Sequence, residues 1–531
     1  MSFRSSPLAM PCKEDFLSGF LVFLIALPLC MGISMACSVP PVAGIITAII
    51  GGIVASFLGS SRLTIKGPAA GLIVIILDCV QELGMGDTAL GYKRLLAVAV
   101  VAGAIQIVFA LLRLGAVGEL MPPSVVHGML AAIGVTIIAK QIHLLFGVTP
   151  SSHSPLSLLA EIPNSVHHLN PEVFMIGGLA LALLILLPRF NLPVVRRIPG
   201  PLLVIFCAVP MAIFFDFEHP HQFRLLGEIY SIGPNYLVTL PSSLLSAITF
   251  PDFSEIYSFA SLKFVIMLSL VGSIESLLTV SAVDSLDPEK KTSDLNKDLF
   301  ALGIGNFLAA LLGGLPMISE IVRSKANIDN GAKSIWANVI HGVFLLIFVS
   351  FFPGLLHMIP LTVLSAMLIY IGFRLASPRE FFHTYHMGRD QLAIFVTTFV
   401  ATLASDLLVG VGVGLILKIV LHQLRGTPLK QLFSTPIKIS YDAPHRILYV
   451  EGACIFTNYL TVKRAIEAHL NDGNGQALEV NFRRTPLVDL TVQTKLRALQ
   501  RQVGESRLMI SGLEEHKANS SFAHATKVLK V

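Results

Sequence analysis

Apolar residues along this chain gather into blocks of near bilayer-spanning length, with short polar stretches between them. The blocks predict fourteen spans in two sets of seven. The first set lies near 16–37, 41–59, 67–83, 94–113, 122–147, 172–188 and 198–215. The second lies near 261–284, 294–312, 316–329, 335–354, 359–376, 390–405 and 408–424. Two spans are short, one after Lys66-Gly67-Pro68 and one after Gly314-Leu315-Pro316, and each is third in its set. Residues 216–260 form the longest segment between blocks, and "LPSSLLSAITFPDF" within it predicts short strands or hairpins. Beyond about Lys430 the pattern changes. "RILYVEG", "ALEVNF" and "RLMIS" read as strands, and "NYLTVKRAIEAHL" and "LTVQTKLRALQRQV" as amphipathic helices. The chain thus divides into residues 1–15, a membrane domain over 16–425 and a small α/β domain over 426–531.

Lysine and arginine set the orientation. With the N-terminus inside, the inner loops hold Arg62, Lys66, Arg113, Arg189, Arg196, Arg197, Lys290, Lys291, Lys297, Lys333, Arg374, Arg379 and Arg389. The outer loops hold only Lys93, Arg94, Arg224 and Lys263. This imbalance predicts both termini in the cytoplasm, and the α/β domain with them. Seven spans per set orient the two sets oppositely, the layout of an inverted-repeat transporter. Composition agrees: charged residues make up 13% of the chain and mean hydropathy is +0.75, against about 25% charged in soluble domains. The net charge of +5 follows topology and does not indicate nucleic-acid binding. The six cysteines show no metal-ligand spacing and read as packed thiols. The first apolar run is long for a signal peptide and lacks a cleavage site, so it reads as a retained span.

The two short spans share a design. "SSRLTIKGPAAGLIV" and "LLGGLPMISEIVRS" each lead through glycine and proline into a helix. Proline suits the first helical turn, and glycine lets the preceding backbone bend. Each helix is therefore expected to start at its proline, inside the membrane, with unpaired N–H groups carrying partial positive charge. Two such ends facing each other would hold an anion, and a broken backbone at that depth belongs beside a cavity.

At this point the chain resembles the sulfate-permease family of anion transporters. The resemblance rests on "DFLSGFLVFLIALPLCMG", "GSSRLTIKGPAAGL", "PPSVVHGMLAAIGVTIIAKQ", "GSIESLLTVSAVD", "LFALGIGNFLAALLGGLPMISEIVRSKANIDNGAKS" and "SDLLVGVGVGLIL". The C-terminal domain resembles the family's STAS module, with "LVDLTVQTKL" at its Asp-Ser/Thr helix start, here Asp489 and Thr491. The resemblance implies a seven-plus-seven inverted repeat with core and gate domains, a homodimer and elevator-like movement. It implies a substrate between half-helices three and ten, beside spans one and eight. On this chain that set is Ala69, Ala70, Gly71, Ile318, Ser319, Ile321, Val322 and Arg323, with Ile33 as a wall. The chain departs from the family at Glu320, where many members have a small residue, and at Leu29, where a glutamine is common. Leu490 replaces a common serine, which leaves Thr491 as the one hydroxyl and weighs against a phospho-switch. The domain ends soon after its last recognisable strand, so its final helix is expected to be short.

Charged residues inside the membrane are expensive and usually functional. Glu275 and Thr279 lie four apart on one helical face and suit Na⁺ binding or proton uptake, or else a structural hydrogen bond. Glu320 and Arg323 lie three apart. Either Arg323 faces the anion with Glu320 as proton carrier, or the two close into a salt bridge. Asn306 and Asn327 are expected to hydrogen-bond locally, and Lys140 and Lys325 to snorkel or pair internally. The histidines show no paired ligand spacing, so no resident metal or other cofactor is expected. There is no Walker motif for ATP-driven transport and no nucleophile–base constellation for an enzyme.

The leading reading is a secondary transporter of sulfate or bicarbonate in a bacterial inner membrane, with Na⁺ or H⁺ as coupling ion. An uncoupled exchanger of chloride, bicarbonate or a dicarboxylate is the alternative within transport. A membrane-anchored scaffold whose STAS domain meets a cytoplasmic regulator is the alternative outside it. A uracil-permease-like transporter would share the architecture, but would place polar side chains for a base on spans eight and ten.

Overall fold

The computed structural model describes residues 11–152, 154–189, 199–225, 227–240, 244–289, 291–405, 407–440, 446–470 and 477–529. Arg196, Arg197 and Lys290, used above for orientation, lie outside the described residues, as do residues 1–10 and 241–243. Packing divides the chain into two units, Met1–Gly118 with Ile133–Leu375, and Glu119–Ala132 with Ala376–Val531.

The first unit is helical. It opens with α1 (Lys13–Ala36) and α2 (Pro41–Ile50), which loosens into a π turn (Gly51–Ala55) before the last turn α3 (Ser56–Leu58). Strand β1 (Ile65–Pro68) and a 3₁₀ turn (Ala70–Leu72) lead into α4 (Ile73–Gly84) and α5 (Thr88–Leu111). Helix α6 (Pro123–Leu145) contributes to both units. There follow α7 (Pro155–His167), α8 (Pro171–Leu186), α9 (Gly200–Phe214) and the hairpin β2 (His221–Leu225) with β3 (Glu228–Ile232). Then come α10 (Phe259–Leu286), α11 (Leu295–Leu311), β4 (Met317–Glu320), α12 (Ile321–Asp329), α13 (Trp336–Phe351), α14 (Pro353–His357) and α15 (Leu361–Leu375). Among the described residues seven helices are long and apolar enough to cross a membrane, and α8, α9 and α13 are shorter apolar helices.

The predicted blocks match these helices closely except at the two half-spans. Neither half-helix begins at its proline. Pro68 ends strand β1 and the helix proper starts at Ile73, while Pro316 precedes strand β4 and its helix starts at Ile321. The reason is pairing. The strands lie antiparallel, with Ile65 opposite Glu320, Lys66 opposite Ser319, Gly67 opposite Ile318 and Pro68 opposite Met317. Each broken backbone supplies the partners that the other lacks, which a membrane interior demands. Helix α7 and the helix over Pro378–Met387 were not anticipated, because their sequences fall in polar stretches between blocks. The hairpin of the 216–260 segment forms at 221–232, upstream of the stretch expected to make it.

Three buried polar fasteners hold the crossing. Lys66 Nζ pairs with Asp298 on α11 at 2.9 Å, both side chains almost fully enclosed. Asn306 accepts from Met317 N–H (2.6 Å) and donates to the Met317 carbonyl (3.3 Å) and Gln106 (2.8 Å). Asn327 accepts from the Ser18 hydroxyl (2.7 Å) and donates to the Leu63 carbonyl (2.9 Å). Asn306 thus bonds to nearby Met317, as expected, and also to distant Gln106, whereas the bonds of Asn327 reach across the fold and are not local.

The second unit holds α16 (Pro378–Met387), α17 (Arg389–Ala404), α18 (Leu407–Leu424) and an α/β region. That region runs β5 (Ile437–Ser440), β6 (Arg446–Val450), α19 (Tyr459–Leu470), β7 (Leu478–Asn481), β8 (Leu487–Val488), α20 (Leu490–Val503), β9 (Leu508–Ser511), β10 (His516–Ala518) and β11 (Lys527–Leu529). Its main sheet has the order β5-β6-β7-β9, antiparallel at β5–β6 and parallel thereafter, and β10-β11-β8 form a second sheet. Leu448, Val450, Val462, Ile466, Val480 and Val492 build one core between sheet and helices. The three predicted strands and two predicted helices are all present. Where a short final helix was expected after β9, the chain instead forms the strands β10 and β11, whose three-residue lengths leave no readable alternation.

Candidate functional site

The β1–β4 crossing brings Ile318, Ser319 and Glu320 opposite Gly67, Lys66 and Ile65, beside Arg323. Arg323, two residues into α12, is 1% exposed. Its Nη1 reaches Cys30 Sγ on α1 at 3.4 Å, and its Nε has no partner. The guanidinium lies over Gly67, where a Cβ would stand 2.6 Å from Nη1, so a side chain there would displace it. Glu320 is the N-cap residue of α12, in extended conformation. The Ala70 amide is a hydrogen-bond partner of its carboxylate, while its Oε1 has none. Among the described residues Glu320 and Arg323 form no ion pair, so the closed salt bridge considered from the sequence is absent.

Glu275 on α10 points its carboxylate at Gly71, where a Cβ would overlap it. Its Oε2 is buried without a partner. Thr279, one turn further along α10, is half-buried. Glu275 and Thr279, the pair from which the sequence suggested Na⁺ binding or proton uptake, thus share one face of α10. Ala69 is buried, and Ala70, half-buried, begins the 3₁₀ turn. Ile33 is buried on α1 one turn from Cys30, and Ile318 is buried in β4. Ser319 is also buried, but its hydroxyl and N–H are both engaged with Ser276 of α10 at 2.8 and 3.1 Å. It therefore ties β4 to α10. Val322 is half-buried and Ile321 exposed. Lys140 donates to the Ala36 carbonyl at 2.7 Å, closing the end of α1, and Lys325 is exposed. Cys30, Gly67 and His341 were missed. His341 is fully buried in α13 with Arg323 as its charged neighbour, and a single histidine in an apolar run gives no spacing signal.

In the second unit Asp489 caps α20 by accepting from Val492 N–H at 2.7 Å, and also accepts from Phe456 N–H at 2.9 Å. Lys418 Nζ of α18 lies 3.2 Å from its carboxylate and His422 Nε2 3.4 Å. Lys418 also donates to the Thr491 hydroxyl at 2.7 Å. Burial works to raise the Asp489 carboxyl, but Lys418, His422 and the Val492 amide outweigh it and hold it well below the usual carboxylate range. Thr491 is fully enclosed here, which leaves its hydroxyl no access for a modifying enzyme.

The profile of the sulfate permease family matches residues 12–398. The chain belongs to the sulfate permease family. Among relatives, YvdB of Bacillus subtilis, whose name assigns it provisionally to sulfate transport, is 27% identical over 410 residues, 77% of this chain and 73% of that protein. The bicarbonate transporter BicA of Synechocystis is 25% identical over 413 residues, 77% of this chain and 69% of its own. Among solved structures, the transmembrane domain of a cyanobacterial BicA superposes with a TM-score of 0.63 at 24% identity, covering 75% of this chain and 97% of that one. The murine solute carrier 26 member A9, in its inward-facing state, gives 0.67 at 16%, covering 94% and 86%. This family member is thus a multi-pass membrane protein with a helical transporter fold, and these relatives are named as transporters.

Proposed function

We propose that the protein is a secondary transporter of a small inorganic anion, sulfate or bicarbonate, driven by Na⁺ or H⁺. One observation carries the reading: Arg323 is a buried guanidinium without a carboxylate partner, at the start of a helix that begins inside the membrane domain. A dry interior tolerates such a charge where an anion balances it. The names of the relatives supply the substrate class.

In the mechanism, the guanidinium and the first amides of α12 hold the anion, with the 3₁₀ turn Ala70–Leu72 opposite. Glu275, Thr279 and Glu320 take the coupling cation. A Na⁺ or proton at these oxygens cancels negative charge beside the anion, so the two ions favour each other's binding. Movement of the loaded core within a homodimer then exposes the site alternately to each side. We place the protein in a bacterial inner membrane with both termini cytoplasmic, in line with the lysine and arginine bias. The STAS-like region is open to a cytoplasmic regulator. The test is uptake of labelled sulfate or bicarbonate into proteoliposomes under an inward Na⁺ gradient, an inward H⁺ gradient, or neither. Accumulation of one anion under one gradient supports the reading, and absence of flux for both anions contradicts it.

A further inference from the structure

Helices α5 and α11 meet backbone to backbone. A Cβ added at Gly103 would stand 2.7 Å from Phe307 N, and one at Gly303 2.8 Å from Ile107 N. Beyond this contact the end of α5 and the start of α11 frame a cavity of about 530 Å³, lined by Leu111, Arg113, Asp294, Asn296, Lys297 and Phe300. One wall is fixed by Asn296, whose Oδ1 accepts from Gly115 N–H at 2.9 Å. The lysine and arginine bias assigns both helix ends to the cytoplasmic face.

Two cations line this cavity. Among the described residues Arg113 and Lys297 form no ion pair, although other cations of the same face do: Arg62 with Asp287 and Glu289, Lys291 with Glu289, and Lys333 with Glu14. The carboxylate in the lining is engaged elsewhere. Asp294 caps α11, its Oδ1 accepting from Asn296 N–H at 2.9 Å and from Lys297 N–H at 3.2 Å. Leu111 and its neighbour Leu112 are exposed beside the cations. The cavity therefore joins a cationic end to an apolar flank at the level where membrane helices leave the bilayer.

We propose that this cavity binds an anionic phospholipid of the inner leaflet, with the headgroup phosphate between Arg113 and Lys297 and the acyl chains along Leu111, Leu112 and Phe300. A guanidinium takes two phosphate oxygens in parallel N–H···O bonds, and an ammonium adds a point charge. Basic pockets between membrane helices on the cytoplasmic side suit such headgroups. Free phosphate would use the cations and leave the exposed leucines uncovered. A zwitterionic lipid would bring its own cationic group against them. The site also has a consequence for the half-span crossing. Asp298, next to Lys297 on α11, holds Lys66 of β1 at 2.9 Å. A lipid seated at this end of α11 steadies the helix that anchors the crossing.

The test is equilibration of the purified full chain with detergent micelles holding equal amounts of dioleoyl phosphatidylglycerol and dioleoyl phosphatidylcholine, followed by quantification of the lipid retained. The wild type should retain phosphatidylglycerol at least about five-fold over phosphatidylcholine. Replacing both cations, Arg113→Gln with Lys297→Gln, should bring the ratio near one. Arg374→Gln, which removes an exposed cation outside the cavity, should keep the wild-type ratio. Phosphatidylglycerol should also raise the thermal midpoint of the wild type and leave that of the double variant where it was. Equal retention of the two lipids by the wild type would overturn the proposal, as would an unchanged ratio in a folded double variant. An equal loss in Arg374→Gln would also overturn it, since the preference would then belong to the surface charge as a whole. A last arm adds inorganic phosphate against chloride of equal ionic strength. Displacement of the lipid by phosphate alone would make this a free-phosphate site and overturn the lipid assignment.

Discussion

A buried guanidinium without a carboxylate and a carboxylate pressed against a glycine are the two residue-scale facts on which the account turns. The second gives a sharp prediction. Gly71→Ala places a methyl group where the Glu275 carboxylate lies, so cation-driven uptake should fall at least about ten-fold. The variant should still elute as a folded protein in size-exclusion chromatography. Asp489 gives a prediction in pH. Its carboxyl is held below its unfolded value of about 3.9, so its contribution to stability is complete above that pH and drains away as pH falls toward the folded value. Thermal unfolding of the C-terminal region should therefore gain nothing from this group between pH 5 and 8, and should weaken below about pH 4. Asp489→Ala strands Lys418 in a buried site and should cost about 3–5 kcal/mol at neutral pH, read as a lower midpoint in denaturant. Glu275, Glu320 and Arg323 stood out in the sequence because charge is rare in apolar runs. Cys30 and His341 did not, since a single thiol or imidazole in such a run looks like ordinary packing. Cys30 accepts from Arg323, and His341 has Arg323 as its charged neighbour, relations that no local pattern encodes.

At the scale of elements, the half-spans show both what patterning reveals and where it stops. Glycine and proline at matching positions mark the third and tenth blocks as broken. The four-residue strands Ile65–Pro68 and Met317–Glu320 are too short to show alternation, and their partners lie about 250 residues apart in the chain. Hence each helix was expected to start at its proline, whereas strand pairing delays it. Asn306 is the side chain that fixes Met317 in this ladder. Asn306→Leu should leave the buried Met317 N–H without an acceptor and cost about 1–3 kcal/mol. The expected readout is a lower thermal midpoint together with slower uptake. A midpoint equal to that of the wild type would show that the ladder does not depend on this fastener.

For the whole molecule, apolar blocks and an abrupt change of pattern near Lys430 were enough to indicate a helical membrane protein followed by an α/β region. The strands β10 and β11 and the helices α7 and α16 escaped, because short or mixed-polarity segments take their conformation from what they pack against. Orientation can be checked directly. Lys291→Cys should react with a membrane-impermeant maleimide only when the inner face is accessible, and Lys93→Cys only from the outer face. The most direct test of the central claim is the gradient-driven uptake of sulfate or bicarbonate into proteoliposomes by the wild type and by Arg323→Gln. The account predicts accumulation by the wild type and none by a folded Arg323→Gln protein. Equal accumulation by both would contradict it, because the buried guanidinium would then have no part in holding the anion.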